Sequence, residues 1–551
     1  MSHPSDPDRS VPTAGKRVVG VEAAERTAQA GLGATLGSLL GALPGASVTP
    51  GADLALPLVG VRQDSRAVAP GELFVVLRGR SSDGAAFVPA AVRAGAVALL
   101  VERGRALDAR GLPCVEVDDA RLAMAQAAAH VYGDPTRALD VVGITGTNGK
   151  TTVAHLVAAC LGAAGRRPGL IGTLGWRFEE HGAPGSHTSP EADELHRLAA
   201  RMRALGATHL VMEVSSIALV AERVAGVGFA VAAFTNLTQD HLDYHGSMAA
   251  YAAAKDRLFL DFGPRAAVVN IDDPHGAELA ARLAALGRPA LTVSLGGAVA
   301  SSAATVLAER VVATARGIEL GLRTPAGPLM LGSALVGRHN AENLVVAFGC
   351  ALALGVPAEV AARALGAVDP VPGRLERCDE PGRDDVVAVV DYAHTPDALE
   401  RVLASLRPLC VGRLICVFGC GGDRDAGKRE PMGEAVARGA DIGIVTNDNP
   451  RSEAPERIAA AVEAGLVRGG ARADASFAAE PGGGARYLVE LDRARAIALA
   501  VERARPGDVV LVAGKGHEPY QVIGATVASF DDRVELRRAL SLRRSASGEA
   551  S

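Results

Sequence analysis

Aromatic residues make up only 3% of the 551-residue chain, with a single tryptophan, so few rings are present to stack on nucleobases. Excess basic charge is lacking as well: 57 Lys and Arg against 62 Asp and Glu leave a formal charge of −5. Without a basic footprint, nucleic acid is not an expected partner. The seven cysteines (Cys114, Cys160, Cys350, Cys378, Cys410, Cys416, Cys420) are scattered, odd in number and without C-x-x-C pairs. That spacing implies neither a disulfide framework nor a zinc site, and it fits a reducing cytoplasm. Long apolar runs are missing too. The longest uncharged stretches, 27–52 and 289–308, are interrupted by Gly, Pro, Ser and Thr, so no membrane span is expected. The N-terminus lacks the basic-then-apolar order of a secretory signal.

Apolar mass is plentiful: 48% of residues are hydrophobic, in a length suited to about three to four domains. Residues 1–33 read as a polar, poorly ordered extension. Block 34–136 reads as a small α/β unit, with a helical run at Leu36, Leu39, Leu40 and Leu43, strands at 72–77 and 96–101, and a helix at 88–94. Gly133-Asp134-Pro135 is the first punctuation. Block 137–369 alternates strands at 139–144, 209–214, 230–234 and 266–270 with helical stretches, the pattern of a doubly wound parallel sheet. Asp369-Pro370-Val371-Pro372-Gly373 breaks the chain again, and block 370–535 repeats the alternation with strands at 386–390, 413–418, 442–446 and 508–512. A tail, 536–551, is expected to fray despite a helical start. Ligands of open α/β sheets gather at the carboxyl ends of the strands, and the polar and glycine-rich segments of this chain sit there.

The strongest of these segments is Val141-Val142-Gly143-Ile144-Thr145-Gly146-Thr147-Asn148-Gly149-Lys150-Thr151-Thr152. An apolar strand runs into glycines that let the backbone turn its N–H groups toward phosphate oxygens, and a helix then begins at Lys150. Lys150 reaches β- and γ-phosphates, and the Thr151 hydroxyl is placed to ligand Mg²⁺. The spacing is a variant of the P-loop: Ile144 stands where the usual first glycine would be. Glu213 ends the next apolar strand, where a second acidic group completes Mg²⁺ coordination. Asn236, Asp240 and His241 follow another strand; taken alone, such a cluster is more often a capped turn than a functional site. Lys255 alone reads as a surface lysine, and Asp448-Asn449-Pro450 alone as a plain turn.

Further segments follow in order: Asp64-Ser65-Arg66 with Pro70-Gly71-Glu72-Leu73-Phe74, Gly337-Arg338-His339-Asn340-Ala341-Glu342-Asn343, and Pro372-Gly373-Arg374-Leu375-Glu376. The third block adds Asp391-Tyr392-Ala393-His394-Thr395-Pro396, Gly419-Cys420-Gly421-Gly422-Asp423-Arg424-Asp425, Asp448-Asn449-Pro450-Arg451 and Gly514-Lys515-Gly516-His517-Glu518. Together, over residues 34–530, these segments resemble the Mur ligase family, ATP-dependent amide-forming enzymes of peptidoglycan precursor synthesis.

The resemblance implies an α/β protein of three domains: a small α/β UDP-binding domain, a central P-loop ATPase-type parallel-sheet domain and a C-terminal Rossmann-like domain. It implies ATP and Mg²⁺ as cofactors. UDP-N-acetylmuramoyl-L-alanyl-D-glutamate and meso-2,6-diaminopimelate would be the substrates and a monomer the working form. By the same resemblance, Gly146, Thr147, Asn148, Gly149, Lys150, Thr151 and Thr152 hold the ATP phosphates. Asn343 contacts adenine, Asp391 the ribose, and Arg374 the γ-phosphate, although a linker salt bridge explains Arg374 nearly as well. Thr151 and Glu213 hold one Mg²⁺, while His241 and a carbamylated Lys255 serve a second. Ser65 belongs to the uridine site, and Thr188, Ser189, Ser215 and Arg223 to the muramoyl dipeptide. Arg424, Asp448, Asn449, Pro450, Arg451, Gly514 and Glu518 form the amino-acid pocket. Ile217, Ala221 and His339 depart from the family pattern, which commonly has histidine, glutamine and phenylalanine there. The alternatives are L-lysine as the added amino acid, a folate–glutamate ligase, or a nucleotide-binding module without catalysis.

Overall fold

The computed structural model describes residues 33–79, 83–185, 187–296, 304–314, 317–474, 476–477 and 479–548. The expected N-terminal extension lies outside them, apart from Gly33. Among the described residues three main sheets follow one another along the chain.

The first sheet runs Ser47–Val48, Cys114–Val117, Ala98–Glu102, Glu72–Val75, Gly60–Arg62 in spatial order, parallel except at Ser47–Val48. Leu73, Leu100 and Val115 on one face pack against Leu36, Leu39 and the helix Ala120–Val131. This is the small α/β unit expected for block 34–136.

The second sheet has 11 strands, and its centre fixes the phosphate loop. Asp140–Thr145 lies between Phe229–Phe234 and His209–Glu213, parallel to both. All six residues of Phe229–Phe234 are buried, as both-face coverage by helices requires. The doubly wound parallel sheet is therefore present, but it carries antiparallel additions that the alternation of strands and helices did not predict. One edge adds Gly175–Phe178 and His181–Ala183, and the other adds the long ribbon Val306–Thr314, Gly317–Thr324, Gly327–Ser333. In Gly317–Thr324 the buried Ile318, Leu320 and Leu322 alternate with more exposed neighbours, which seats one face on the helix Arg338–Ala353.

The third sheet orders its strands Glu376–Arg377, Val387–Asp391, Val509–Ala513, Leu414–Phe418, Ile442–Val445, Arg486–Val489, Arg472–Ala473. Four adjacent parallel strands therefore end side by side at Asp391, Ala513, Phe418 and Val445. The expected frayed tail is a helix instead, Asp532–Gly548. Leu536 and Leu540 are buried in the core, and Arg543 and Arg544 pair with Asp385 and Asp384 at 2.8 Å, so apolar burial and ion pairs hold the C-terminus down. No helix among the described residues is long and apolar enough to cross a membrane.

Candidate active site

The strand Asp140–Thr145 delivers the chain into the phosphate loop, and the helix Lys150–Ala163 leaves it. Gly146 (φ 144°) and Gly149 (φ 86°) adopt backbone that side chains disfavour. Space forbids a Cβ as well: one at Gly146 would collide with Thr235 Oγ1, and one at Gly149 with Asn343 Oδ1. The loop is braced from the neighbouring strand end, where Asn236 Oδ1 accepts the Asn148 N–H at 2.9 Å and Thr235 Oγ1 donates to the Asn148 carbonyl at 2.7 Å. Lys150 Nζ folds back to donate to the carbonyls of Gly146 (3.0 Å) and Thr147 (2.7 Å). Burial pushes its pKa down, opposed by Glu213 and Asp240.

Glu213 joins this loop to the residues assigned to the dipeptide. Its Oε2 accepts from Thr151 Oγ1 at 2.9 Å and from Thr173 Oγ1 at 3.1 Å, and its Oε1 accepts the Thr173 N–H at 2.8 Å. Thr173 Oγ1 meets Thr188 Oγ1 at 3.1 Å. Ser189 Oγ donates to the Glu213 carbonyl at 2.9 Å and accepts the Ser215 N–H at 3.0 Å. Arg223 donates to the Ser189 carbonyl at 3.1 Å and pairs with Glu191 at 2.7 Å. Thr173, at the turn after the strand Pro168–Gly172, carries no glycine or charge signature in sequence and was not singled out.

Lys255 is not a surface lysine. It lies on the helix Met248–Leu260 with 1% of its surface exposed, over the Tyr251 ring at 4.4 Å, and donates to the Gly146 carbonyl at 2.8 Å. Burial, and then the charge of Lys150, holds its pKa well below the usual lysine value. His241 caps the short helix Leu242–His245 with φ 52° and faces Asp240 at 3.5 Å. Its ring stands edge-on to Tyr251, 6.2 Å between centroids, so the capped turn and the cluster around Lys255 are one arrangement.

The third block closes over this floor. Arg374 donates to Thr151 Oγ1 at 3.3 Å and stacks on Tyr392 at 4.4 Å; among the described residues it makes no linker ion pair. Asp391 accepts the N–H groups of Leu375 (2.8 Å) and Ala393 (2.7 Å), and burial pushes its pKa up. Asp397 Oδ2 accepts from Asn148 Nδ2 (3.1 Å) and Thr238 Oγ1 (2.8 Å), a contact between blocks that the sequence reading missed. The cavity between the two blocks, of about 340 Å³, is lined by Asn148–Thr152, Thr188, Glu213, His241, Asn343, Arg374 and Asp391 among others.

The expected amino-acid residues assemble at the carboxyl ends of the third sheet. Asn449 Nδ2 donates to Glu518 Oε2 at 2.9 Å, and the buried Lys515, named in sequence only as part of its segment and given no role there, donates to both Asn449 Oδ1 and Glu518 Oε2 at 3.1 Å. Arg451 has φ 52°, and its guanidinium donates to the Gly422 carbonyl at 2.7 Å, in the loop that carries Arg424. Pro450 precedes it in the same turn. A Cβ at Gly514 (φ 116°) would meet Asp448 Oδ2 at 2.5 Å. Ser65 lies elsewhere, on the first block, in a loop closed by Arg66–Asp64 at 2.7 Å and tied to the second block where Asp193 Oδ2 accepts the Gln63 N–H at 3.1 Å.

Three family models match in the same order as the sheets: "Mur ligase family, catalytic domain" over residues 57–132, "Mur ligase middle domain" over 144–351 and "Mur ligase, glutamate ligase domain" over 373–516. The UDP-N-acetylmuramoyl-L-alanyl-D-glutamate–2,6-diaminopimelate ligase of Geobacter metallireducens is 44% identical over 497 residues, covering 89% of this chain and 95% of its own length. The chain belongs to the Mur ligase family. The protein of the same name from Synechococcus elongatus is 45% identical over 504 residues, covering 90% and 96%. A solved structure of a ligase with that name aligns with TM-score 0.64 at 32% identity, over 93% of this chain and 99% of that one. The MurF ligase of Thermotoga maritima, solved with ADP, shares the fold at TM-score 0.58 and 18% identity, over 88% and 98%.

Two departures from the Mur ligase pattern now have surroundings. Beside Ile217, Ser216 Oγ pairs with His245 Nε2 at 2.9 Å, so a histidine from another helix meets this segment. His339 lines the cavity and meets Ser405 Oγ at 2.9 Å, its pKa pushed down to about 4 by burial and by Arg401.

Proposed function

We propose that the chain is an ATP-dependent ligase that joins meso-2,6-diaminopimelate to UDP-N-acetylmuramoyl-L-alanyl-D-glutamate, as the names of its 44–45% identical relatives state for them. The observation that carries the reading is the cavity in which Lys150, Thr151 and Glu213 from one block face Arg374 and Asp391 from the next. ATP spans that cleft, its phosphates on the loop amides and Lys150, its ribose toward Asp391 and its adenine toward Asn343.

Among the described residues no group of three or more His, Cys, Asp and Glu stands ready to hold a metal. Mg²⁺ does not require one, since it binds through one or two carboxylates together with phosphates and water. Thr151 Oγ1 and Glu213 Oε2, paired at the mouth of the loop, supply a donor set that fits. Bound there, Mg²⁺ would neutralise charge on the β- and γ-phosphates. Lys255 would react as its neutral amine with CO₂, and the resulting carbamate and His241 would supply the oxygen and nitrogen donors of a second site. The depressed pKa of Lys255 supports this, because only the uncharged amine is nucleophilic.

In the first step the D-glutamyl side-chain carboxylate attacks the γ-phosphorus. An O–P bond forms, the bond to the ADP oxygen breaks, and an acyl phosphate results. In the second step the amine of diaminopimelate attacks the acyl carbon, phosphate leaves with its bonding pair, and the amine sheds a proton. Lys150 and Arg374 offset the charge that develops in both steps. Thr188, Ser189, Ser215 and Arg223 would orient the dipeptide and Ser65 the uridine. Arg451, a planar guanidinium, matches the distal carboxylate that distinguishes diaminopimelate from L-lysine, with Arg424, Gly514 and Glu518 around the remaining groups. The test is isotopic. With ¹⁸O in the D-glutamyl side-chain carboxylate, one ¹⁸O should appear in released phosphate, and phosphate free of label would contradict the acyl phosphate.

A further inference from the structure

We propose that Lys515 is a positioning residue for amino-acid selection: its buried ammonium fixes the orientation of the Asn449 amide and leaves Glu518 a single free oxygen. The inference rests on the function proposed above and adds a residue to it. Lys515 is fully buried, with 0% of its surface exposed, at the turn after the strand Val509–Ala513. Its Nζ lies 3.1 Å from Asn449 Oδ1 and 3.1 Å from Glu518 Oε2, and over the Tyr520 ring at 5.4 Å.

An ammonium has donors only, so it donates to the oxygen of a neighbouring amide and offers nothing to its N–H groups. Asn449 is thereby held with Oδ1 toward Lys515, where the same oxygen also takes the Val522 N–H at 3.0 Å. Its Nδ2 is left to donate to Glu518 Oε2 at 2.9 Å. The flipped amide would set Nδ2 against two donors and Oδ1 against a carboxylate. One Nδ2 hydrogen remains for a ligand carboxylate. Glu518 Oε2 already receives two donors, which leaves Oε1 for a ligand ammonium. The pocket thus presents one donor and one anionic acceptor in fixed places, the complement of an α-amino acid end group. Lys515 need not touch the amino acid to impose this.

The test uses the full-length enzyme, the UDP-muramoyl dipeptide, ATP and meso-diaminopimelate. Lys515→Met should raise the KM for diaminopimelate about tenfold or more, the loss expected for a misplaced charged hydrogen bond, with the KM values for ATP and dipeptide within about twofold of wild type. In the Asn449→Ala background the same change should cost clearly less than it does alone, because part of its effect passes through Asn449 and only the contact with Glu518 remains to be lost. A merely structural lysine would instead give additive losses and shift all three KM values. Should Lys515→Met not fold, Lys515→Gln decides: a neutral amide there can meet either orientation of Asn449, and an unchanged KM for diaminopimelate would overturn the proposal. If wild-type enzyme does not consume diaminopimelate at all, the proposed function fails. If it does and these variants bind normally, only the role of Lys515 fails.

Discussion

Replacing Lys255 with methionine should make the protein more stable while abolishing turnover. The Gly146 carbonyl accepts from Lys255 at 2.8 Å and from Lys150 at 3.0 Å, so two lysine nitrogens share one oxygen. That geometry sets the nitrogens roughly 5 Å apart, where two full charges would repel by about 3 kcal/mol at an effective dielectric near 20, a cost that the lowered Lys255 pKa partly relieves by release of its proton. Taking the Lys255 charge out of water costs several kcal/mol more. Against this stand a charged hydrogen bond, worth about 1.5–3 kcal/mol, and the contact with Tyr251, worth about 1–2 kcal/mol. Methionine fills a similar volume, and Gly146 keeps its bond from Lys150. The balance favours the variant by about 2 kcal/mol, or roughly 4–8 °C for a domain of this size. Thermal melts in metal-free, bicarbonate-free buffer measure the shift, and ADP release measures the loss of activity. Short carboxylates added to Lys255→Ala, whose side chain leaves room for them, should partly restore turnover by standing in for a carbamate. A lower melting temperature for Lys255→Met, or activity near wild type, would refute the reasoning.

Lys150→Ala should leave the fold intact and turnover undetectable, because the phosphate loop loses its only lysine; near-normal ligation would sink the phosphate-site assignment. Arg451→Gly separates stability from selection: glycine relieves a left-handed backbone (φ 52°) worth about 1–2 kcal/mol but loosens the unfolded chain by about 0.5–1 kcal/mol, so melting should hardly change. Its KM for diaminopimelate should nevertheless rise about 10- to 150-fold, and selectivity that survives this change would remove Arg451 from the pocket. Asp193→Asn should stabilise in a pH-dependent way. Burial raises the Asp193 carboxyl from 3.8 to about 6, so its favourable contribution is complete below pH 3.8 and lost as pH rises through 6. The amide, which still accepts from Gln63, should gain about 3 kcal/mol in denaturant unfolding at pH 8 and almost nothing near pH 4; an equal gain at both would contradict the burial account.

The parts of this protein that were legible in sequence are those where backbone chemistry demands particular residues. Gly146 and Gly149 are required by φ and by lack of space, and Lys150 and Thr151 by phosphate and metal, so the loop could be read directly. Parallel strands such as Ala266–Asn270 were readable as apolar runs. The ribbon Val306–Thr314, Gly317–Thr324, Gly327–Ser333 was not: Ile318, Leu320 and Leu322 alternate as a half-buried strand should, but nothing there has the continuous apolar run that marks the parallel strands. The C-terminal helix was misjudged because its ion pairs to Asp384 and Asp385 join residues about 160 positions apart. Thr173, Asp397 and Lys515 share that difficulty. A threonine, an aspartate and a lysine are ordinary in sequence, and only the fold brings them to Glu213, Asn148 and Asn449.

The central claim, a ligase selective for diaminopimelate, is tested most directly by kcat/KM for ADP release with an amino-acid panel at saturating ATP and UDP-muramoyl dipeptide. The account predicts release that requires both dipeptide and amino acid, with meso-diaminopimelate favoured over L-lysine by at least about tenfold, the value of one charged hydrogen bond from Arg451 to the distal carboxylate. Equal use of L-lysine would contradict the assignment of the pocket, and ADP release independent of the dipeptide would contradict the ligase itself.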